Sequence, residues 1–115
     1  MLLPGIERAC VDRRKLADYA LNFGHPEGRH KARVFRSALG LTAADSEWLA
    51  TAILAGLRQS EAVWQNETSW GAIYRVDMNV VRGQRCALVR TAWLCAPDAP
   101  RLVTCFVIGE CDETD

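Results

Sequence analysis

The sequence predicts an α+β domain in which N-terminal helices pack on one face of a small antiparallel β-sheet. Three observations support this fold. Apolar residues recur at helical spacing through residues 11–57. From residue 71 onward the chain is rich in β-branched and aromatic residues, as strands are. The connections between these later segments are short, whereas parallel neighbours need a long crossover, so we expect a meander of three to four strands.

The N-terminal half predicts three helices joined by turns. The first spans residues 11–24, with Phe23 among its apolar residues, and the second runs from about Arg29 to Leu39. A third helix follows Thr42. Residue types at the helix ends support these bounds. The expected caps and stops are Asp12, Gly24, Gly40 and a capping box formed by Thr42 and Asp45.

The C-terminal half predicts three strands, at residues 71–81, 84–96 and 101–109. A turn at Arg82 and Gly83 joins the first two, and proline-rich residues 96–100 make the second turn. We therefore expect a single domain over residues 1–109, followed by an acidic, frayed tail at 110–115.

Length and composition restrict the class of protein. The 115 residues are half hydrophobic and carry no net charge, which indicates one domain with a core of its own. No apolar run reaches the roughly 20 residues of a membrane span, and the start lacks the pattern of a secretory signal. We expect a cytoplasmic protein without membrane contact.

The cysteines favour reduced thiols over a disulfide or a metal site. There are five, at positions 10, 86, 95, 105 and 111, without a C-x-x-C pair. Apolar surroundings in the strand segments favour buried thiols for Cys86, Cys95 and Cys105. Metal-ligand spacings, carboxylate clusters and glycine-rich phosphate loops are also missing from the sequence, so we expect no metal and no cofactor.

Charge is distributed unevenly along the chain. Residues 1–40 hold eight basic and four acidic side chains, and twelve of the fourteen basic residues in the whole chain are arginine. This half of the chain favours contact with phosphate or with an acidic protein.

The segment FGHPEGRHKARVF, residues 23–35, is the strongest candidate for a site. If the second helix begins near Gly28, its free backbone N–H groups and its dipole favour an anion at this turn. Pro26 restricts the direction of His25. The cations around the same end are Arg29, His30 and Lys31. These features predict a bound phosphate, sulfate or carboxylate, although a histidine in a turn can equally cap the helix or pack.

Several motifs resemble an uncharacterised bacterial domain family over about residues 11–107. The family pattern combines a K-L-x-x-Y-L-L opening, H-P-x-G-x-x-K-A-x-x-F, a G-x-x-Y strand, a strand ending in T-x-W and a closing L-V-T-A-Y-P. The matching residues singled out here are His25, Gly28, Lys31, Tyr74, Thr91, Trp93 and Thr104. The closing motif departs from the pattern, because Phe106 stands where the family has tyrosine.

The resemblance implies a possible function. Members of this family of unknown function are similar to the ribonuclease superfamily of barnase, EndoU, colicin and RelE-type toxins. This implies metal-independent cleavage of RNA, in which a base deprotonates the 2′-hydroxyl and an acid protonates the leaving oxygen. The implied catalytic residues are His25, Lys31, Tyr74 and Thr104. The implied substrate-binding residues are Arg29, Thr91, Arg101 and Trp93, the last by stacking on a base.

A non-enzymatic alternative stays open. An antitoxin, immunity protein or phage accessory protein would use the basic N-terminal face to bind an acidic partner, and the missing tyrosine at position 106 suits this alternative. Each of these candidate residues also has a purely structural explanation. Tyr74 and Trp93 equally suit cross-strand pairs, and the threonines are ordinary strand residues. Arg101 equally suits a position that covers the sheet edge. Catalysis requires the candidate residues to converge on one concave face. The expected partners are RNA, a cognate antitoxin or another acidic protein, and the oligomeric state stays open.

Overall fold

The computed structural model describes residues 1–111 and has the expected α+β architecture. The helices are α1 (Arg13–Lys15, continued by a π-helical turn at Leu16–Ala20), α2 (Arg29–Leu39) and α3 (Ser46–Leu57), with 3₁₀ turns at Ile6–Arg8 and Ala43–Asp45. The strands are β1 (Ala62–Thr68), β2 (Gly71–Arg82), β3 (Arg85–Cys95) and β4 (Pro100–Glu110). The helices therefore precede the sheet, as the sequence predicts.

The strands form one antiparallel sheet in the order β1-β2-β3-β4. Each strand pairs with its neighbours in sequence, so the predicted meander is confirmed. The sequence pattern does not mark β1, because every residue of this strand except Ala62 is exposed and no apolar alternation results. Strands β1 and β4 are the two edges of the sheet.

The helices cover one face of the sheet. Alternating residues of the two central strands supply that face: Val76, Met78, Val80, Ala87, Val89 and Trp93 are all buried. The helices add Phe35 and Leu39 of α2 and Leu49, Ile53 and Leu57 of α3 to the same core. Removal of this apolar surface from water is the main stabilising contribution.

The first helix ends earlier than the sequence predicts. Its N-cap is confirmed, because the Asp12 carboxylate accepts a hydrogen bond from the backbone N–H of Arg14. The helix then widens into a π-turn, in which the N–H of Leu21 donates to the Leu16 carbonyl at 2.8 Å. The extra residue in this turn directs Leu21 into the core and leaves Phe23 37% exposed. The prediction of a helix to Gly24 with Phe23 on its apolar side is therefore wrong.

The bounds predicted for α2 are confirmed, including the left-handed Gly40 at its C-terminus, with φ of 68°. The predicted capping box of the third helix is also present: the Thr42 N–H donates to Asp45 Oδ2 at 2.9 Å. Arg82 of β2 donates to the other oxygen of the same carboxylate at 3.1 Å. The start of the third helix is thus linked to the sheet.

The prediction of reduced thiols is wrong for one pair of cysteines. Cys86 of β3 and Cys111 form a disulfide, with their Cα atoms 5.5 Å apart. The bond is possible because β4 continues to Glu110, which pairs with Ala87 and brings Cys111 beside Cys86. Glu110, which the prediction assigned to the frayed tail, is therefore part of β4, and residues 112–115 of the predicted tail lie outside the described part of the chain. The other three cysteines are free: Cys105 is buried, Cys95 half-buried and Cys10 exposed.

Candidate anion-binding site

Lys31 is the centre of a polar cluster between α2 and the edge strand β4. Its ammonium nitrogen lies 3.1 Å from the Thr104 hydroxyl and 3.4 Å from the Tyr19 hydroxyl, and it donates to both oxygens. The same nitrogen lies 4.9 Å from the centroid of the Tyr19 ring and 5.3 Å from that of Phe106. Two hydroxyls and two aromatic rings therefore hold the charged end of a half-buried lysine.

Irregularities in two elements position these partners. The pairing of β3 with β4 shifts register, so that Ala92 pairs with Thr104 and Trp93 pairs with Leu102. Val103 is the extra residue of this bulge. The bulge lets Leu102 and Cys105 both reach the core while Thr104, between them, meets Lys31.

Close packing brings Tyr19 to the same place. A Cβ atom at position 28 would overlap the Tyr19 carbonyl oxygen, so only glycine lets the start of α2 approach the π-turn this closely. This contact gives a physical reason for the spacing between His25, Gly28 and Lys31 in the sequence motif.

The cluster borders a cavity of about 400 Å³ that carries positive charge. Its lining comprises Lys15, Tyr19, Lys31, Val103 and Thr104. Within residues 1–111, no carboxylate lies within 4.0 Å of either lysine nitrogen. The cavity is therefore lined by two lysines whose charge no described carboxylate neutralises, which favours an anionic ligand.

The neighbouring Cys105 does not supply a nucleophile. Burial raises the pKa of its thiol to about 12, and the positive charge of Lys31 offsets this only in part. The reactive form of cysteine is the thiolate. Cys105 is thus a small apolar residue of the core.

His25 caps the turn that leads into α2. Its Nδ1 atom accepts hydrogen bonds from the backbone N–H groups of Glu27, at 3.0 Å, and Gly28, at 2.9 Å. These two bonds occupy the Nδ1 lone pair of the ring. His25 therefore has a structural position in the turn, and its catalytic role stays a prediction.

The start of α2 offers fewer free N–H groups than the predicted anion site assumes. The N–H groups of Glu27 and Gly28 are bonded to the His25 ring, and that of Arg29 donates to the His25 carbonyl at 3.0 Å. These groups are therefore unavailable to a ligand. The His25 ring instead packs edge-on against Tyr19, with centroids 4.7 Å apart, and so helps to place the tyrosine beside Lys31.

Two predicted substrate-binding residues lie in the core. Thr91 and Trp93 are both fully buried. The Trp93 indole donates to the Thr91 hydroxyl at 2.8 Å, and that hydroxyl donates to the Val76 carbonyl at 2.7 Å. A base cannot stack on Trp93, and Thr91 has no surface from which to contact a ligand. These two predictions are corrected to a buried hydrogen-bond network that satisfies the polar atoms of β3.

The remaining predicted residues are dispersed. Tyr74 pairs with Trp93 across β2 and β3, and β3 separates it from Thr104 by about 10 Å of sheet. Arg101 forms an ion pair with Asp98 at 2.6 Å, which lowers the pKa of that carboxyl. Arg29 is exposed on the first turn of α2. Of the predicted residues, the structure brings together Lys31 and Thr104, and places His25 behind them as a cap.

The sequence analysis missed Lys15 and Tyr19. Their signal was present, because both belong to the K-L-x-x-Y opening motif, at residues 15–19. In the sequence alone the motif resembles an ordinary helix face. Its place beside Lys31 follows from the packing of α1 and its π-turn. Phe106, at the position where the family has tyrosine, contacts the same lysine.

Two further properties concern metals and membranes. In the described part of the chain, no three histidine, cysteine or carboxylate side chains are grouped so that they could hold a metal ion. No helix of residues 1–111 has the length and apolar character needed to cross a membrane.

The fold and the site define a small α+β domain with a lysine-centred, positively charged cavity at one edge of its sheet. The chain belongs to the family described as domain of unknown function DUF6883, which it matches over residues 2–109. No curated protein and no solved structure matches it. The likeness to ribonuclease toxins therefore stays a prediction.

Proposed function

We propose that this domain binds RNA and holds a phosphodiester in the cavity beside Lys31. The observation that carries the proposal is the Lys31 ammonium group, half-buried between two hydroxyls with no carboxylate within 4.0 Å among residues 1–111. A cation that has lost part of its hydration gains most from an anionic ligand that replaces the lost water.

The hydrogen-bond directions suit a phosphate. Thr104 and Tyr19 accept from Lys31 through their oxygens, so each hydroxyl hydrogen is free to donate to a ligand. Lys15 adds a second charge on the wall of the same cavity. The cavity has several donors. They match a phosphodiester, which has several oxygens, better than a ligand with a single acceptor atom. Lysine binds phosphate as a point charge and needs no fixed planar geometry.

A nucleic acid is supported by the charge of the surrounding helix. The sequence of α2, RHKARVFRSAL, contains three arginines and a lysine but no acidic residue. A polyanion gains from every such cation through release of its counterions. The implied likeness to ribonucleases favours RNA within this class.

Cleavage of the bound RNA is a second candidate, favoured by the position of the Tyr19 hydroxyl 3.4 Å from the Lys31 nitrogen. In this candidate Lys31 stabilises the charge of the phosphorane. Tyr19 and Lys15, the other titratable side chains of the cavity, would transfer the protons of the 2′-hydroxyl and the leaving oxygen. His25 takes no part beyond holding Tyr19 in place.

The binding proposal is tested by fluorescence anisotropy with a labelled single-stranded RNA. Lys31→Met removes the charge but keeps an apolar stem against the two rings, and Arg58→Met is the matched control at an exposed position outside the cavity. We expect Lys31→Met to weaken binding at least about tenfold, as loss of a charged hydrogen-bond donor does, and the control to bind as the wild type does. Equal affinity of the two variants, or no binding by the wild type, would overturn the proposal.

The cleavage candidate needs its own measurement. The labelled RNA is incubated with the wild type and with Tyr19→Phe, and the products are separated by electrophoresis. Cleavage by the wild type that is lost in Tyr19→Phe, at RNA concentrations that saturate both proteins, is the expected result. RNA that stays intact with a wild type that binds it would eliminate cleavage and leave the binding function. Preference for a polyglutamate peptide over RNA would instead favour the acidic-protein partner.

A further inference from the structure

A second basic surface lies on the other side of α2. A groove of about 840 Å³ is lined by residues that include Phe23, Arg33, Arg36, Ser37, Thr42 and Arg85. We infer that this groove binds single-stranded RNA, with phosphates on its arginines and one base stacked on Phe23. The choice of RNA as the ligand rests on the proposed function, but the groove shares no residue with the Lys31 cavity.

The charge of the groove is not neutralised. Within residues 1–111, none of Arg33, Arg36 and Arg85 has a carboxylate within 4.0 Å. Other arginines on the sheet behave differently, since Arg82, Arg90 and Arg101 each pair with an aspartate. Mutual repulsion of unpaired guanidinium groups is relieved when an anion binds between them.

Phe23 gives the groove an aromatic surface. The π-turn turns this ring away from the core, and it remains 37% exposed. The Arg36 guanidinium lies over the ring, with its central carbon 5.6 Å from the ring centroid. An exposed ring among arginines is the combination with which proteins bind single strands, because bases stack on the ring and phosphates meet the charges.

The arginines are spaced along α2 in a row. Arg29, Arg33 and Arg36 follow one another at intervals of four and three residues, so they share one face of the helix, with rises of about 6 Å and about 4.5 Å between them. All three are exposed. Lys31 is two residues from Arg33, about 200° around the helix, and points to the opposite side. A strand that occupies both sites therefore has to cross the first turn of α2, where Arg29 lies.

Arg85, the third arginine that lines the groove, belongs to the sheet. Arg85 begins β3, and its Nη1 atom donates to the Arg36 carbonyl oxygen at 3.5 Å, at the C-terminal end of α2. This contact uses one nitrogen and leaves the other donors of the guanidinium free. Planar guanidinium groups match the paired oxygens of a phosphate, so three of them favour a phosphate chain as the occupant.

The inference is tested by the salt dependence of RNA binding. Arg33→Gln with Arg36→Gln removes two charges from the groove, and Arg14→Gln with Arg58→Gln removes two from exposed positions that line neither the groove nor the cavity. We expect the groove double variant to weaken binding at least about tenfold and to reduce the slope of log affinity against log salt by about 1.4, or about 0.7 for each lost phosphate contact in a single strand. The control pair should retain the slope.

The stacking contact on Phe23 is tested separately, by its effect on affinity and on the salt slope. Phe23→Ala should weaken binding by about fivefold or more, since base–aromatic stacking is of that size, and it should leave the salt slope unchanged because no charge is lost. Circular dichroism confirms that each variant is folded, which is expected because all the replaced side chains are exposed. Groove variants that bind like the control pair would overturn the inference.

Failure of the groove and failure of the Lys31 site are distinguishable. If Lys31→Met abolishes binding while the groove variants bind normally, the groove inference fails and the proposed function stands. If the groove variants lose binding while Lys31→Met does not, the groove stands without the Lys31 site. Tighter binding of polyglutamate than of RNA by the wild type, with loss of that binding in the groove variants, would assign the groove to an acidic protein and overturn the inference.

Discussion

The imidazole of His25 acts in the turn before α2 much as a serine or aspartate cap does, because it accepts hydrogen bonds from the backbone N–H groups of Glu27 and Gly28. The same ring orients Tyr19, which in turn accepts from Lys31. A histidine in a basic motif suggests proton transfer, but here its lone pair is already used. Its effect on any ligand is indirect and acts through the start of α2.

We predict that His25→Ala lowers the free energy of unfolding by about 1 kcal/mol, the usual cost of a lost N-cap. His25→Asn should recover part of this loss, because its amide oxygen can accept from the same N–H groups. Urea denaturation followed by circular dichroism measures both. A His25→Ala protein as stable as the wild type that nevertheless loses RNA cleavage would contradict the cap and restore a catalytic role.

The buried thiol of Cys105 gives a second prediction at the residue scale. Because its pKa is raised to about 12, it should remain protonated and unmodified by iodoacetamide at mildly alkaline pH in the folded protein. The exposed Cys10 should be modified under the same conditions. Peptide mass spectrometry distinguishes the two sites, and unfolding in urea should make both reactive. Rapid modification of Cys105 in the native protein would show that the core at β4 opens.

At the scale of elements, the third helix is joined to the sheet through one carboxylate. The hydrogen bond from Arg82 and then that from the Thr42 N–H lower the pKa of Asp45 below its usual value of 3.8. A carboxyl with a lowered folded-state pKa stabilises the native protein above its unfolded value, and this contribution is lost as the pH falls through the folded value. The stability of the α3 start should therefore decrease in acid.

We predict that Asp45→Asn lowers the free energy of unfolding at neutral pH by about 1 kcal/mol, since it weakens both the cap and the contact with Arg82. The variant should also lose less stability than the wild type when the pH is lowered from neutral to below 3.8. Urea titrations at both pH values measure the difference. Parallel losses in the two proteins would mean that Asp45 is not linked to Arg82 in solution.

The Cys86–Cys111 disulfide fastens the end of β4 to β3 across a sequence separation of 25. We predict that reduction, or Cys111→Ser, lowers the free energy of unfolding by up to about 3 kcal/mol, as expected for a loop of this length. Thermal unfolding with and without reductant measures this change in the wild type. Cys111→Ser provides the control, because its stability should not respond to the reductant.

At the scale of the whole molecule, positive charge gathers around α2 while the sheet pairs its own charges. The Lys31 cavity and the arginine groove lie on opposite sides of this one helix. Both sites should prefer multivalent oxyanions over chloride. A ligand that binds only the native protein stabilises it by mass action.

We predict that inorganic phosphate or sulfate raises the melting temperature above that in chloride of equal ionic strength. At ligand concentrations about tenfold above the dissociation constant the increase should be about 5 °C. Differential scanning fluorimetry measures it. Lys31→Met should reduce the increase, and Lys31→Met combined with Arg33→Gln and Arg36→Gln should remove it. An increase that all variants retain would be a general salt effect on folding.

Much of the fold was predictable because local rules act over short segments. The apolar spacing of α2, its glycine stop and the Thr42–Asp45 capping box are determined by neighbours within four residues. The meander follows from short connections, which suit only antiparallel neighbours. Strand β1 could not be predicted from these rules. It is an exposed edge strand, so burial does not impose an alternation of apolar and polar residues on it.

The α+β meander and the basic character of α2 follow from the amino-acid sequence alone, which also marked Lys31 and Thr104 as candidate site residues. Only the tertiary structure decided what those residues meet. The π-turn at Leu16–Ala20 and the bulge at Val103 each insert one residue, and each insertion changes which side chains face the core and which face the cavity. Contacts between α1, α2 and β4 join residues far apart in sequence, as with Lys31 and Thr104, and their geometry depends on packing that no local pattern encodes. For the same reason Trp93 and Thr91, plausible ligand contacts in a motif, became buried partners of each other.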